Sequence, residues 1–506
     1  MIRRSFGTLL VITVAGAGSL LALSVPTAAA SAGAQADGVQ DTNAPTVTGP
    51  AKGGQGIPSI LSTNFDLADV GYTNEEYFIE GEASAYEEAA PLRADGKWKV
   101  HEVSTAPYKT RVVVYRPADP ADFNGTLFVE WLNVTAGFDT SPDWMAAHNA
   151  LIRSGAAFMG VSAQAAGVQG GGAVLEGATE GGLKGGDPER YGSLSHPGDE
   201  YSYDIFTQAG LVATGDGDGV NPFAELDVKR VIAMGESQSA FRMTTYVNAV
   251  HPIAEVYDGF LVHSRGSSGA SLGKSDGAGN DDASMPDGAR IRNDLAVPVL
   301  EVQTETDLTL LESLAARQPD TKRFRLWEIA GSAHADKYTG TLAANDLGDG
   351  SAELSLLDPK QADGGVLRCS TAVNTGPTFA IVSAATQRLD KWVRDGTPPS
   401  KAARLETNGD EIVRDEHGNA EGGIRSPQVD VPLATTTGDR NSGGSFCGLF
   451  GTTAVFDAAT VASLYPTRDD YVRQFDKSAD ATVDAGFWLE PNAENFKTAA
   501  RQISLG

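Results

Sequence analysis

The sequence predicts an α/β fold: a mostly parallel central sheet flanked by helices, with an N-terminal extension, loop insertions and a C-terminal appendage. Three observations carry this expectation. From Tyr72 to about Asp395, apolar β-branched runs alternate with helix-compatible segments, the pattern of parallel strands joined by crossover helices. One run, with Val231 and Ile232, enters the sharp turn Gly235-Glu236-Ser237-Gln238-Ser239 and leaves as an apolar helical segment, Ala240 to about Ala249. Two later runs end in polar loops: Val297 to Val302 before Glu305 and Asp307, and the run from Arg325, broken at Gly331-Ser332, before His334. Open α/β sheets place ligands and reactive groups past the C-terminal ends of their strands.

The strand–turn–helix around Ser237 is the geometry a nucleophilic serine needs. The turn lifts the hydroxyl off the sheet and aims the next backbone N–H, that of Gln238, at a developing oxyanion. Small residues are required where strand and helix pass closely. Gly235 meets that need, and Ser239 stands where a second glycine is more usual, giving G-x-S-x-S. A triad of this kind runs in chain order serine, acid, histidine. Ser237, Asp307 and His334 satisfy that order, with Glu305 as the alternative acid.

Among the seven histidines, His334 is taken as the base over His263, because of those two only His334 follows the acid strand. His263 is the rival. It ends the run Tyr257 to Val262 and, with Arg265, is a candidate for the pocket wall. His148 falls on a predicted helix, and His417 lies in a polar turn. The second oxyanion donor is expected from the loop after the strand Gly125 to Trp131. Val134 N–H is the candidate there, with Asn133 as a side-chain contributor.

Long stretches of the chain resemble a large bacterial α/β-hydrolase-domain family of secreted serine hydrolases. They are YKTRVVVYRPADPADFNGTLFVEWLNVTAGFD (Tyr108 to Asp139), YGSLSHPGDEYSYDIFTQAG (Tyr191 to Gly210), GESQSA, FLVHSRG (Phe260 to Gly266), VLEVQTETD, GSAHAD, GGIRSPQVDVP (Gly422 to Pro432) and CGLFGTT (Cys447 to Thr453). The resemblance covers nearly everything after about residue 60 and implies an α/β-hydrolase fold. It carries Ser237 over as nucleophile and His334 as base.

The N-terminus reads as a signal peptide, residues 1–30. Arg3 and Arg4 precede an apolar stretch, Leu9 to Leu23, too short for a membrane span, and small-residue cleavage sites follow at Ala28 to Ala30. Residues 31–60, rich in Ala, Gly, Pro and Thr, read as a flexible linker, 61–399 as the hydrolase core, and 400–506 as an extension packed on it. Loss of Arg3 and Arg4 takes the formal charge from −27 to about −29. That acidity argues against nucleic acid and anionic membranes as partners. The expected partner is a small-molecule ester, and the sequence implies no oligomeric state. The two cysteines, Cys369 and Cys447, are expected to pair in an exported protein. No cofactor and no metal is expected, because no zinc spacing or calcium loop is present. Three Gly/Asp-rich insertions, 168–187, 266–288 and 337–365, are candidates for pocket rim or lid.

The expected activity is therefore secreted serine hydrolysis of a carboxylic ester through an acyl-enzyme. The alternatives are an amidase of the same mechanism and a catalytically idle hydrolase fold used for binding.

Overall fold

Among the described residues, ten strands form one sheet: β1 (Thr46–Thr48), β2 (Tyr72–Glu88), β3 (Val100–Pro117), β4 (Thr126–Trp131), β5 (Ala157–Val161), β6 (Asp218–Gly219), β7 (Arg230–Glu236), β8 (Gly259–His263), β9 (Val299–Gln303) and β10 (Phe324–Glu328). Their spatial order is β10-β9-β8-β7-β4-β5-β3-β2-β1-β6. The computed structural model describes residues 44–171, 181–273, 285–358, 368–444 and 446–505. Residues 1–30, read from the sequence as a signal peptide, lie outside them.

From β10 to β5 every neighbouring pair is parallel. These strands are short and buried on both faces, as parallel strands covered by helices must be. Beyond β5 the sheet turns antiparallel through β3 and β2. The two faces are filled by alternate residues. Val113, Tyr115 and Phe158 enter one core with Trp144, Phe379 and Trp392. Val112, Val114 and Met159 enter the opposite core with Trp131, Phe206 and Tyr246.

The chain leaves β4 toward β5 on one side and returns as β7 on the other. The loops after β4 and β7 therefore diverge, which opens a crevice at the C-terminal edge of the sheet.

The linker expectation fails from residue 44 onward. Thr46–Thr48 adds a strand beside β2, the Arg190 guanidinium donates to the Gly53 carbonyl, and the Ser59 carbonyl accepts from Arg111. Ala, Gly and Pro-rich composition hid this, because the segment is held by backbone pairing and by arginines 52 and 137 residues away in the chain. The C-terminal extension shares the core. Tyr471 and Phe475, on the helix Arg468–Asp484, and Phe496, on the helix Glu490–Gln502, join Phe379 of the helix Thr378–Asp395. Asn43–Gly506 is one compact unit.

Candidate active site

β7 is delivered to the crevice by its burial between β4 and β8, and the chain must reverse there into the helix Gln238–Thr245. Ser237 occupies the apex at φ 57°, ψ −122°. A non-glycine residue at positive φ costs on the order of 1–3 kcal/mol, held here by the surrounding structure. The Ser237 N–H donates to the His263 carbonyl at 3.0 Å, which ties the apex to the end of β8. A Cβ on Gly235 would stand 3.1 Å from the Ser239 carbonyl oxygen, so any larger residue there would have to push the elbow helix back by a few tenths of an ångström. Ser239 fits as the second small residue, fully buried.

β10 ends in a turn through Gly331, at φ 70°, that brings His334 over the serine. His334 Nε2 lies 2.7 Å from Ser237 Oγ, and Nδ1 lies 2.6 Å from Asp307 Oδ1. Asp307 is fully buried. Its second oxygen accepts the Thr304 N–H at 2.7 Å, one half of a capping box on the helix Glu305–Thr309. Helix capping and imidazole orientation thus share one carboxylate. Burial pushes the His334 imidazole down, but the charge and hydrogen bond of Asp307, with the charge of Glu236 behind them, lift it above its ordinary value.

The alternative acid does different work. Glu305 is not a solvated loop carboxylate but fully buried. It accepts the Gly331 N–H at 2.6 Å and the Gly438 N–H at 3.1 Å, and pairs with Arg414 at 3.1 Å. It braces the histidine turn against the C-terminal extension and has no hydrogen bond to His334 among the described residues.

Gln238 is the first residue of its helix, so its N–H has no intrahelical acceptor. Val134 is fully buried and packs on Ala166, while its neighbours Asn133, Thr135 and Ala136 line the pocket. The Asn133 amide is already engaged. Its Nδ2 donates to the Glu236 carbonyl at 3.2 Å and its Oδ1 accepts the Thr135 N–H at 2.8 Å. Asn133 therefore sets the loop against the elbow instead of offering a free donor.

Ser237 and His334 open onto a pocket of about 220 Å³. Its walls are mostly apolar, with Leu61, Met145, Phe379, Phe446, Leu449 and Phe450 prominent. The last three come from the C-terminal extension, beside Cys447, which is bonded to Cys369. The Leu449 carbonyl accepts the Ala335 N–H at 3.0 Å, so this wall is laced to the residue after His334. Of the three insertions, only 337–365 contributes lining residues among those described, Thr339 and Gly340. The described residues of segments 168–187 and 266–288 contribute none.

His263 lines the pocket, and Arg265 does not. The Arg265 guanidinium is fully buried, paired with Glu301 at 3.1 Å and donating to the Ala289 carbonyl. It anchors a loop. Two residues of the site escaped the sequence reading. Asp143 lies 2.8 Å from His263 Nδ1, and Glu236 Oε1 lies 3.5 Å from His334 Nε2. Burial raises the Glu236 carboxyl to about 7, with the two histidines pulling it down and Asp143 and Asp307 pushing it up. The turn motif places Glu236 beside the serine, but no local pattern tells that its side chain faces both imidazoles.

A family model described as an alpha/beta hydrolase domain matches residues 47–498. No curated protein matches the sequence. Similar solved structures include a serine hydrolase without a lid from Xanthomonas campestris (11% identity, 52% of this chain and 88% of that one, TM-score 0.26). A thermostable esterase from Pseudomonas putida (10% identity, 56% and 80%, TM-score 0.29) and a glucuronoyl esterase from Solibacter usitatus (10% identity, 57% and 84%, TM-score 0.27) are others.

Proposed function

The chain belongs to the alpha/beta hydrolase domain family, and from that premise we propose that it is a serine esterase that cleaves a small carboxylic ester through an acyl-enzyme. The observation that carries the reading is the continuous hydrogen-bond line Ser237 Oγ, His334 and Asp307, at 2.7 and 2.6 Å, opening onto an apolar pocket. In this mechanism His334 takes the proton from Ser237 Oγ as it attacks the acyl carbonyl. Asp307 holds the imidazole with Nδ1 protonated and stabilises the imidazolium. The N–H groups of Gln238 and Val134 hold the oxyanion. His334 returns its proton to the leaving alcohol, and water then repeats the sequence to release the acid. An amide is the less suited bond, because its leaving group demands fuller protonation. The arginine pair and apolar stretch of residues 1–30, with the Cys369–Cys447 bond, support export of the mature protein to an oxidising compartment.

The test is a panel of p-nitrophenyl acyl esters of graded chain length, run with the wild type and Ser237→Ala. Hydrolysis of one or more esters by the wild type, lost in the variant, is the expected result. No hydrolysis of any ester, or undiminished hydrolysis by a folded variant, contradicts it.

A further inference from the structure

A second imidazole–carboxylate pair stands in the same pocket. His263 ends β8 and is 4% exposed. Its Nδ1 lies 2.8 Å from Asp143 Oδ1. Asp143 sits in the first turn of the helix Pro142–Ser154. It is fixed there because the Glu130 carboxylate, rising from β4, accepts the N–H groups of Asp143 and Trp144 at 2.9 and 3.0 Å. The backbone of His263 is also tied to the nucleophile, since its main-chain carbonyl accepts the Ser237 N–H. His263 Nε2, the other polar atom of that ring, is buried and has no hydrogen-bond partner among the described residues.

Ring orientation by a buried carboxylate is the arrangement that leaves an imidazole's far nitrogen aimed and ready for an outside partner. A buried nitrogen left unpaired is costly. It is tolerated where a ligand supplies the missing hydrogen bond, and discrimination then follows, because a ligand lacking the group leaves the nitrogen unsatisfied. Resting on the esterase reading, we propose that His263, positioned by Asp143, is a specificity residue whose Nε2 hydrogen-bonds a hydroxyl group of the substrate. The preferred substrate is then a hydroxylated ester with its hydroxyl near the scissile carbonyl. A hydroxyl suits Nε2 in either protonation state, since it both donates and accepts. Glu236, whose side chain faces both imidazoles, is the other ionisable group beside this ring and His334, and much of the remaining pocket wall is apolar.

The experiment compares kcat/KM within two matched pairs. On the acyl side the pair is p-nitrophenyl butyrate and p-nitrophenyl 3-hydroxybutyrate. On the alcohol side it is propyl butyrate and 3-hydroxypropyl butyrate, followed by pH-stat. The wild type is expected to favour the hydroxylated member of at least one pair by about tenfold or more. In His263→Phe that ratio is expected to fall to near one. Near-equal rates within both pairs overturn the proposal, as does a preference that survives His263→Phe in protein with a native near-UV spectrum. If His263→Phe does not fold, Asp143→Asn replaces it, with a reduced ratio expected and an unchanged ratio contradicting the role. Absence of turnover on all four esters overturns the esterase reading itself, and the proposal with it.

Discussion

At the level of single residues, the carboxylates around His334 differ in what each touches. Asp307 holds Nδ1 and caps its own helix. Asp307→Asn is expected to lower kcat by about 10⁴-fold, by removing the acceptor that fixes the tautomer. Steady-state kinetics on the best ester of the panel checks it, and a loss of less than tenfold would remove Asp307 from the mechanism. Glu236 acts by charge alone. On the proposed mechanism the base must be neutral to work, so kcat/KM rises as His334 loses its proton, and the raised imidazole pKa puts the acid limb above the ordinary histidine value. Removing the negative charge of Glu236 makes the imidazolium easier to deprotonate. Glu236→Gln is thus expected to shift the acid limb to lower pH, and a pH–rate profile that stays put or moves upward argues against the coupling. Chain order made Ser237, Asp307 and His334 legible in the sequence. Asp143 and Glu236 were not legible. Asp143 looks like any acid in a first helical turn, and its partner is 120 residues away. Glu236 occupies a variable place in the turn motif.

Among elements, the turn after β10 is where the fold and the chemistry are most tightly joined. Its Gly331 N–H is held by Glu305, from the helix Glu305–Thr309, and Glu305 is in turn held by Gly438 and Arg414 of the C-terminal extension. Glu305→Ala leaves the buried N–H groups of Gly331 and Gly438 without their acceptor. A loss of about 1–3 kcal/mol of stability is expected, read as a lower midpoint in urea unfolding. An unchanged midpoint would make Glu305 a bystander. From sequence alone Glu305 looked like a loop carboxylate two residues from the better acid. The polar loop signal was correct, but the extension that buries it lies more than a hundred residues downstream and carries no motif of its own. Strand ends were legible for a simpler reason. Parallel strands buried on both faces must be apolar throughout, so the change to polar residues marks the C-terminal edge where the site is built.

For the molecule as a whole, residues 400–506 complete the hydrolase core. Their helices fill the hydrophobic layer shared with Phe379 and Trp392, and Phe446, Leu449 and Phe450 form one wall of the pocket. The Cys369–Cys447 bond closes a span of 78 residues beside that wall. Its reduction is expected to lower the thermal midpoint, since closing a loop of that length is worth about 4–5 kcal/mol on the chain-entropy model. It should also change the ranking of esters by chain length, because the wall it anchors is apolar pocket surface. A scan with and without dithiothreitol, followed by the ester panel, reads both effects. Equal midpoints would mean that packing alone holds the extension. The central claim is that Ser237 is the nucleophile. The most direct measurement is reaction with a fluorophosphonate, followed by peptide mapping of the adduct by mass spectrometry. A single adduct on the Ser237 peptide, absent in folded Ser237→Ala, is the predicted result; no adduct on the native protein, or an adduct on another residue, would contradict it.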